Sequence, residues 1–244
     1  MKIAGLQRLT LLDYPEHTAC TVFLAGCNFR CHYCHNPELV LPECIREQAE
    51  QFLDEKAVLA FLEERRGLLE GVCITGGEPT LQPGLREFMR QIKAMGFKTK
   101  LDTNGSSPKL LEKILKEGLV DYVAMDVKAA PENYHEFVGI GADDPALRDE
   151  QQRLSIERSR DLIMTAGIDY EFRTTLVGGH HDEAEFGAIL EFVRDAERYY
   201  LQNFQGGQGC LDPEWQRFRG FSDADLLRYQ QQAEQFVGYC GVRT

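Results

Sequence analysis

The chain of 244 residues lacks any apolar run long enough to cross a lipid bilayer. Its first residues, MKIAGLQRLTLLDYPEH, contain no continuous apolar core of the kind that signal peptides carry. Hydrophobic residues make up 43% of the chain and charged residues 27%, which excludes wholesale disorder. We therefore expect a globular, cytoplasmic protein without a membrane-spanning segment.

Positive charge is also scarce. Lys and Arg together number 27 against 39 Asp and Glu, which gives a formal net charge of −12. Because affinity for nucleic acids depends on Lys and Arg side chains that neutralise phosphates, this balance argues against a nucleic-acid partner. It leaves room for a local basic pocket that binds a small anion.

Cysteine is rare outside one short stretch. Three of the eight cysteines fall within CNFRCHYCHN, at the spacing C-x3-C-x2-C. In a reducing cytosol such a group indicates a metal site or a catalytic site rather than disulfides. The remaining five form no second C-x2-C pair, and we expect most of them to be buried, inert thiols. These five are Cys20, Cys44, Cys73, Cys210 and Cys240.

The residues alone leave three interpretations of the triplet open. Cys27, Cys31 and Cys34 could hold zinc, with His32 or His35 as the fourth ligand of a closed tetrahedral site. They could instead hold an iron–sulfur cluster in which one iron stays open to a substrate. They could also be unliganded, which is the weakest interpretation at this spacing. The triplet favours the cluster over zinc.

Short apolar, β-branched stretches alternate with stretches of helical periodicity along the whole chain. The alternation predicts parallel strands joined by helices, an α/β fold that is either a doubly wound sheet or an incomplete barrel. No repeat or linker indicates a second domain, so we expect one domain over residues 1–244. Within it we place an N-terminal extension at 1–17 and a C-terminal substrate-side segment at 205–244. The predicted strands are Thr18–Ala25, Gly71–Thr75, Lys98–Asp102, Tyr122–Val127, Tyr170–Val177 and Tyr199–Phe204. The predicted helices are Phe52–Arg66, Gln82–Met95, Pro108–Gly118, Gln152–Ala166, Asp182–Ala196 and Asp223–Val237.

Polar motifs follow three consecutive predicted strands. The motif GGEP ends the second strand, LDTNG the third and DVK the fourth. Each motif alone is most simply a turn or a surface charge. Ligands of parallel α/β folds bind at the carboxyl ends of the strands, however, and the cysteine loop also falls there. The candidate site residues from these motifs are Gly76, Gly77, Glu78, Pro79, Asp102, Asp126 and Lys128.

The combination of motifs resembles the radical S-adenosylmethionine superfamily, whose signature C-x3-C-x-aromatic-C has Tyr33 in the aromatic place. The resemblance implies an incomplete (β/α)6 TIM-like barrel with the cluster loop after the first strand. It implies a 4Fe–4S cluster on Cys27, Cys31 and Cys34, with S-adenosylmethionine on the fourth iron. The GGEP stretch would bind the methionine amino group. Tyr33 would present an apolar face to the adenine ring, or it would be an aromatic residue of the core.

The sequences CHN, LDTNG and DVK extend the resemblance to glycyl-radical-enzyme activases of the pyruvate formate-lyase activating type. On this likeness Asn36 helps to hold the cosubstrate, and Lys128 approaches its carboxylate. Asp102, Thr103 and Asp126 would lie beside the same methionyl end. They are candidates for a monovalent cation site there.

Longer stretches resemble anaerobic ribonucleoside-triphosphate reductase activating proteins in their long form, from Lys2 to about Trp215. These stretches are GLQRLTLLDYP, VFLAGCNFRCHYCHNPELV, RRGLLEGVCITGGEPTLQ and YEFRTTLV. Where the pyruvate formate-lyase activating type has a histidine at the end of the sixth strand, this chain has Gln202, Asn203 and Gln205. Gln202 is the candidate cosubstrate contact of that region.

The resemblance implies that a flavodoxin- or ferredoxin-type donor reduces the cluster and that S-adenosylmethionine is cleaved to methionine and a 5′-deoxyadenosyl radical. The radical would take a hydrogen atom from a partner protein, a glycyl radical enzyme such as anaerobic ribonucleotide reductase. Two other functions stay open. One is a radical enzyme that modifies a small molecule or peptide, and the other is a non-catalytic zinc or iron–sulfur module.

Arg173 projects from the fifth predicted strand and has two interpretations. If it faces the barrel interior it is a candidate for binding the cosubstrate or a substrate glycyl loop, and if it faces outward it makes a helix-packing salt bridge. His180 and His181 are expected in a loop, with Asp182 as the cap of the next helix, rather than as ligands.

Two long connections separate the predicted elements, at 129–151 and 205–222. Long connections in compact domains are often functional or mobile. For the first connection, a solvated loop without a function is an equally good interpretation. The second carries Trp215 and Phe218, which we expect to be available to a partner.

Overall fold

The computed structural model describes residues 1–139, 145–206 and 209–243, with only the backbone described over 145–149. Parts of the two predicted connections and of the C-terminal segment, at 140–144, 207, 208 and 244, lie outside the described residues. The strands are β1 (Ile3–Thr10), β2 (Ala19–Leu24), β3 (Arg30–Cys31), β4 (Gly71–Gly76), β5 (Lys98–Thr103), β6 (Tyr122–Asp126), β7 (Val138–Gly139), β8 (Asp169–Leu176), β9 (Tyr199–Asn203) and β10 (Cys240–Arg243). The helices are α1 (Pro37–Val40), α2 (Pro42–Glu47), α3 (Glu55–Glu64), α4 (Leu85–Ala94), α5 (Pro108–Lys116), α6 (Tyr134–Phe137), α7 (Pro145–Met164), α8 (Glu183–Phe192) and α9 (Asp223–Ala233).

The fold is α/β with mostly parallel strands, as the sequence predicted, and it is consistent with an incomplete barrel. The chain divides into two compact units. The first unit contains residues 1–28, 36–103 and 107–123, and the second contains residues 29–35, 104–106 and 124–244. The single domain over 1–244 stays a prediction.

In the first unit the strand order is β1-β2-β4-β5. Five of the six residues of β2, ACTVFL, are fully buried, as expected for a strand whose two faces are both covered. Strands β2 and β4 are parallel, with Leu24 opposite Gly76, so both chains leave the sheet at the same edge. The cysteine loop therefore starts beside the GGEP turn.

In the second unit β8, β9 and β10 are parallel neighbours, and the short strands β3 and β7 form an antiparallel pair. The latter pairs Cys31 with Val138. Helix α8 starts as predicted, because the Asp182 carboxylate accepts hydrogen bonds from the backbone N–H groups of Ala184 and Glu185.

All six predicted strands are confirmed, each within one residue of its predicted ends. Four strands were missed, among them the two-residue strands β3 and β7. Strand β1 lies in the predicted N-terminal extension and pairs antiparallel with β2, but its middle is half-buried or exposed and shows no clean alternation. Strand β10 has only four residues, too few for a periodic signal.

The helix starts were predicted less well than the strands. Helix α3 begins at Glu55 rather than Phe52, because the side chain of Asp54 accepts from the backbone N–H of Lys56 and caps the helix there. Helix α7 begins at Pro145 rather than Gln152, at the first helical position that proline favours. The connection 129–151 is thus not one solvated loop, since it also contains α6 and β7.

Within the described ranges, none of the helices combines the length and the apolar character that spanning a bilayer requires.

A first prediction concerns the close approach of β2 and β4. Gly76 has φ +120°, and a Cβ there would lie 2.3 Å from the Leu24 carbonyl oxygen and 2.5 Å from its nitrogen. Gly96 also has positive φ (+92°), but nothing lies within 4 Å of its Cβ position. We expect Gly96→Ala to lower the free energy of unfolding by about 1–2 kcal/mol through backbone strain alone. Gly76→Ala should cost about 3 kcal/mol or more, because a backbone clash adds to the strain. Urea unfolding of both variants measures the difference, and equal losses would contradict the close approach.

A second prediction concerns His181, a buried side chain that bridges two backbone segments. Its Nδ1 accepts from the Val177 N–H at 3.0 Å, and its Nε2 lies 3.3 Å from the Lys128 carbonyl oxygen. Burial lowers the pKa of His181 from its usual 6.5 to about 4. Between pH 6.5 and pH 4 the unfolded chain binds the proton more readily than the folded chain does. The stability that neutral His181 contributes above pH 6.5 is therefore lost as the pH falls toward 4. The loss amounts to about 3 kcal/mol.

Unfolding by urea at pH 7 and pH 4 measures this loss, with His181→Gln as the test variant. Glutamine can keep both hydrogen bonds but does not titrate, so the variant should lose less stability on acidification than the wild type. His135→Gln, at an exposed histidine, is the matched control and should behave as the wild type does. An identical pH dependence in the wild type and His181→Gln would refute the assignment.

Candidate active site

The first cysteine of the triplet lies in the first unit, directly after β2. Cys27 is half-buried and follows Gly26, whose φ of +114° turns the chain out of the sheet. The Gly26 N–H donates to the Leu39 carbonyl at 2.7 Å, and the Gln82 side chain donates to the Ala25 carbonyl at 2.8 Å. Gln82 therefore fixes the backbone two residues before Cys27, a role that no sequence motif indicated.

The other two cysteines of the triplet lie in the second unit. The Cys34 N–H donates to the Cys31 carbonyl at 3.0 Å, which closes a tight turn between them. The Leu211 N–H donates to the Cys34 carbonyl at 2.9 Å, and the Asp212 N–H donates to the His32 carbonyl at 3.0 Å. Cys31 is buried and Cys34 is half-buried. The C-terminal segment thus holds the turn that presents both thiols.

The two histidines of the loop, His32 and His35, contact residues outside the cysteine triplet. His32 Nδ1 lies 3.0 Å from the Asp212 carboxylate, and its ring stacks on Trp215 at 5.2 Å. His35 is exposed and stacks on Phe204 at 5.5 Å. In the described ranges no three His, Cys, Asp or Glu side chains are grouped so as to hold one metal ion.

The burial of Trp215 contradicts a prediction made from the sequence. We expected it to be available to a partner, but it is only 7% exposed. Its ring stacks on His32 and, at 4.0 Å, on His180, and Phe218 lies against it edge-on. The segment is polar in sequence, so only the packing of distant histidines reveals that Trp215 belongs to the core.

None of the eight cysteines, all of which lie in the described ranges, forms a disulfide bond. Of the five outside the triplet, four are buried, as predicted, and Cys44 is half-buried. Burial raises the pKa of Cys20 and of Cys240 to about 12, so both stay protonated and unreactive at neutral pH.

The GGEP turn continues the β2–β4 contact beyond the strands. The Gly77 N–H donates to the Leu24 carbonyl at 2.8 Å, and the Glu78 N–H donates to the Gly26 carbonyl at 2.7 Å. A Cβ on Gly77 would lie 2.3 Å from the Gly26 carbonyl oxygen, so only glycine fits. Pro79 begins the short 3-10 turn that follows. The backbone of GGEP is therefore locked against the start of the cysteine loop.

Glu78 is fully buried. Its Oε1 accepts from the Thr80 N–H at 3.0 Å, from the Thr80 hydroxyl at 2.5 Å and from the Thr103 hydroxyl at 2.8 Å. These three hydrogen bonds fix the orientation of the carboxylate. A buried carboxylate held in one orientation suits a positively charged amino group.

Asp102 follows on the next strand of the first unit, and its side chain is 14% exposed. One of its oxygens accepts from the Thr75 hydroxyl at 3.1 Å, and the other contacts the Lys100 ammonium. The sequence carried a signal for the second contact, because residues two apart on a strand point to the same face.

In the second unit Asp126, Lys128 and Arg173 form an ion network. The Asp126 carboxylate lies 2.8 Å from Arg173 Nε and 3.2 Å from Lys128 Nζ. Burial alone would raise the pKa of Asp126, but the charges and hydrogen bonds of Arg173 and Lys128 outweigh it and lower the pKa to about 2. The same pairing keeps the pKa of Lys128 well above its usual range in spite of burial. Arg173 thus lies with the candidate site residues rather than in a salt bridge to a packing helix.

Two tyrosines accompany this network. The Tyr134 hydroxyl accepts from the Lys128 N–H at 3.1 Å. Tyr33 is 6% exposed, and its ring packs near Phe204 and Trp215, as a core aromatic does. Its hydroxyl, however, is buried without a hydrogen-bond partner. A buried hydroxyl of this kind needs an explanation, and one explanation is a bound molecule.

The two remaining candidates are less well placed. Asn36 is exposed at the start of α1, where its carbonyl accepts from the Leu39 N–H. Gln202, on β9, is half-buried and accepts from the Thr175 hydroxyl at 3.4 Å. Their proposed contacts with a cosubstrate stay predictions.

Comparison with known proteins identifies relatives over the full chain. A Methanocaldococcus jannaschii protein with the provisional name glycyl-radical enzyme activating enzyme is 31% identical over 243 residues, 99% of this chain and 95% of the relative. The 7-carboxy-7-deazaguanine synthase of Methanopyrus kandleri is 29% identical over 228 residues, 84% of this chain and 80% of the relative. The pyruvate formate-lyase-activating enzyme of Clostridium pasteurianum is 33% identical over 141 residues, 56% of each chain.

Among solved structures, Streptococcus suis SuiB bound to S-adenosylmethionine superposes with a TM-score of 0.63 at 14% identity over 92% of this chain. The chain spans about half of SuiB, 52% of its length, and the likeness concerns the fold alone. The Radical SAM superfamily matches residues 21–193, which include the three loop cysteines, GGEP, LDTNG and DVK. The chain therefore belongs to the radical S-adenosylmethionine superfamily.

Proposed function

We propose that this protein is an activating enzyme that installs a glycyl radical on a partner protein, with anaerobic ribonucleoside-triphosphate reductase as the first partner to test. The observation that carries the proposal is the similarity, over 99% of the chain, to a relative named for glycyl-radical enzyme activation. The local similarity to a pyruvate formate-lyase-activating enzyme supports it. Both relatives are named for action on a protein.

The residues present fit the cofactors of the family. Members of the superfamily bind a 4Fe–4S cluster and S-adenosylmethionine. Cys27, Cys31 and Cys34 carry thiol groups, which in the thiolate form are the usual ligands of such clusters. They would hold the cluster, while the buried Glu78 carboxylate would receive the amino group of the cosubstrate. The unpartnered hydroxyl of Tyr33 is a polar atom that a bound cosubstrate could satisfy.

When bound, the cluster and S-adenosylmethionine supply reductive cleavage and a radical that abstracts hydrogen. The chain itself orients and shields these groups. Glu78 is fixed by the two threonines Thr80 and Thr103 before any ligand arrives, so its reorganisation on binding is small. Lys128, held by Asp126, would contact the carboxylate of the cosubstrate, and Arg173 keeps Asp126 ionised.

A second function is supported by one specific observation. The relative named 7-carboxy-7-deazaguanine synthase covers 84% of this chain at 29% identity, and its name denotes a small-molecule product. Radical modification of a small molecule is therefore the alternative to test in parallel. The flavodoxin or ferredoxin donor and the cytoplasmic location are further parts of the proposal.

The cluster assignment predicts that Cys27→Ser, Cys31→Ser and Cys34→Ser each abolish cluster binding after anaerobic reconstitution with iron and sulfide. They should also abolish formation of 5′-deoxyadenosine on reduction with S-adenosylmethionine present. Cys44→Ser is the matched control, because Cys44 is also a half-buried thiol but lies outside the triplet. Iron and sulfide analysis, with chromatography of the nucleoside product, measures both effects. Full activity in any triplet variant would refute the ligand set.

The partner assignment predicts a glycyl radical signal in electron paramagnetic resonance spectra of the reductase. The reductase is incubated with the reconstituted enzyme, S-adenosylmethionine and a reductant, and a Cys34→Ser sample is the control. A radical signal only with the intact enzyme supports the proposal. Formation of 5′-deoxyadenosine without a radical on the reductase or on another glycyl radical enzyme would favour the small-molecule alternative.

A further inference from the structure

A buried lysine lies within the first unit, and the functional assignment above does not use it. Lys100 is only 2% exposed on β5. Its ammonium contacts the Asp102 carboxylate, lies 3.8 Å from the Cys73 sulfur and sits 5.8 Å from the centre of the Tyr122 ring. Because a buried ammonium is stable only with a compensating charge, the contact with Asp102 is its electrostatic anchor.

The strand register places the two side chains of this contact next to each other in the sheet. Strands β4 and β5 are parallel with Cys73 opposite Lys100, and Asp102 follows two residues later on the same face of β5. The Thr75 hydroxyl donates to the other Asp102 oxygen at 3.1 Å. Both carboxylate oxygens are thereby bound by groups of the same sheet.

Asp102 and Thr103 were predicted as part of a monovalent cation site. The geometry gives both other partners, since Asp102 binds Lys100 and the Thr103 hydroxyl donates to Glu78 at 2.8 Å. A sodium or potassium ion at Asp102 would lie within a few ångströms of the Lys100 ammonium, and like charges at that distance repel strongly at a buried position. A covalently attached cation already occupies the place that the ion would need.

We propose that Lys100 is a positioning residue that replaces a bound monovalent cation at Asp102. The ammonium neutralises the carboxylate and fixes its orientation, so that S-adenosylmethionine binding in this protein is independent of sodium and potassium ions. The inference rests on the proposed use of S-adenosylmethionine but requires no glycyl radical partner. A failure to activate the reductase would therefore not contradict the inference about Lys100.

The test compares the affinity of the reconstituted protein for S-adenosylmethionine in potassium, sodium and tetramethylammonium chloride at equal ionic strength, measured by anaerobic equilibrium dialysis. The wild-type dissociation constant should be the same in all three salts. Lys100→Met removes the charge at similar length. It should weaken binding about tenfold in tetramethylammonium, the cost of one charged contact, and regain affinity in potassium or sodium.

Two further variants define the specificity of the effect. Lys93→Met is the matched control, since Lys93 also pairs with a carboxylate of the first unit, that of Asp121 at 2.6 Å, and should show no salt dependence. Lys100→Arg keeps the charge and should stay independent of the cation. A second readout needs no cofactor: potassium should raise the thermal midpoint of cofactor-free Lys100→Met but not that of the wild type, because an ion that binds only the folded state stabilises it.

Three results would overturn the proposal. One is a wild-type protein that itself needs potassium or sodium. Another is a Lys100→Met variant whose weakened binding no cation restores, since that would indicate a purely structural lysine. The third is a Lys100→Met variant that binds as the wild type does in every salt. If Lys100→Met does not fold, the wild type and Lys100→Arg decide the question: independence of the cation in both supports the proposal, and dependence in either refutes it.

Discussion

The close parallel contact of β2 and β4 is the constraint on which the first unit depends. Leu24 stands opposite Gly76, and the backbone pairing continues past the strand ends through Gly77 and Glu78. Two glycines are required there because a Cβ at either position would enter the neighbouring backbone. The chain can leave β2 toward the first cysteine only alongside the turn that buries Glu78. One hydrogen-bond register thus sets the positions of two candidate functional groups.

Charge compensation is the second organising feature. The chain is acidic as a whole, yet both units pair carboxylates with cations near their strand ends. Asp102 is bound by Lys100, and Asp126 is bound by Lys128 and Arg173. Burial makes such pairs necessary, because an isolated buried charge is far more costly than a paired one. The net charge of −12 therefore describes the surface and says little about the candidate site.

Much of the α/β architecture could be predicted, and the reason is local. The strands of parallel sheets are apolar runs between polar turns, and all six predicted strands appear within one residue of their expected ends. Strand β1 and the early start of α7 escaped prediction. The first is half-exposed, and the second begins in a polar stretch whose helical state depends on its surroundings. Trp215 escaped for the same reason, since its packing partners His32 and His180 are distant in sequence.

The sequence by itself determined which candidate functional groups are present, because cysteine spacing, the two glycines before Glu78 and the order of the polar motifs are properties of the chain. It also determined the succession of strands and helices along the chain, which follows from periodicity. Only the tertiary structure decided which charges meet. The link from Arg173 to Asp126 and the anchoring of the Cys31–Cys34 turn by Leu211 depend on strand register and loop packing. These contacts join residues whose proximity is set by the whole fold, and no local pattern encodes such distances.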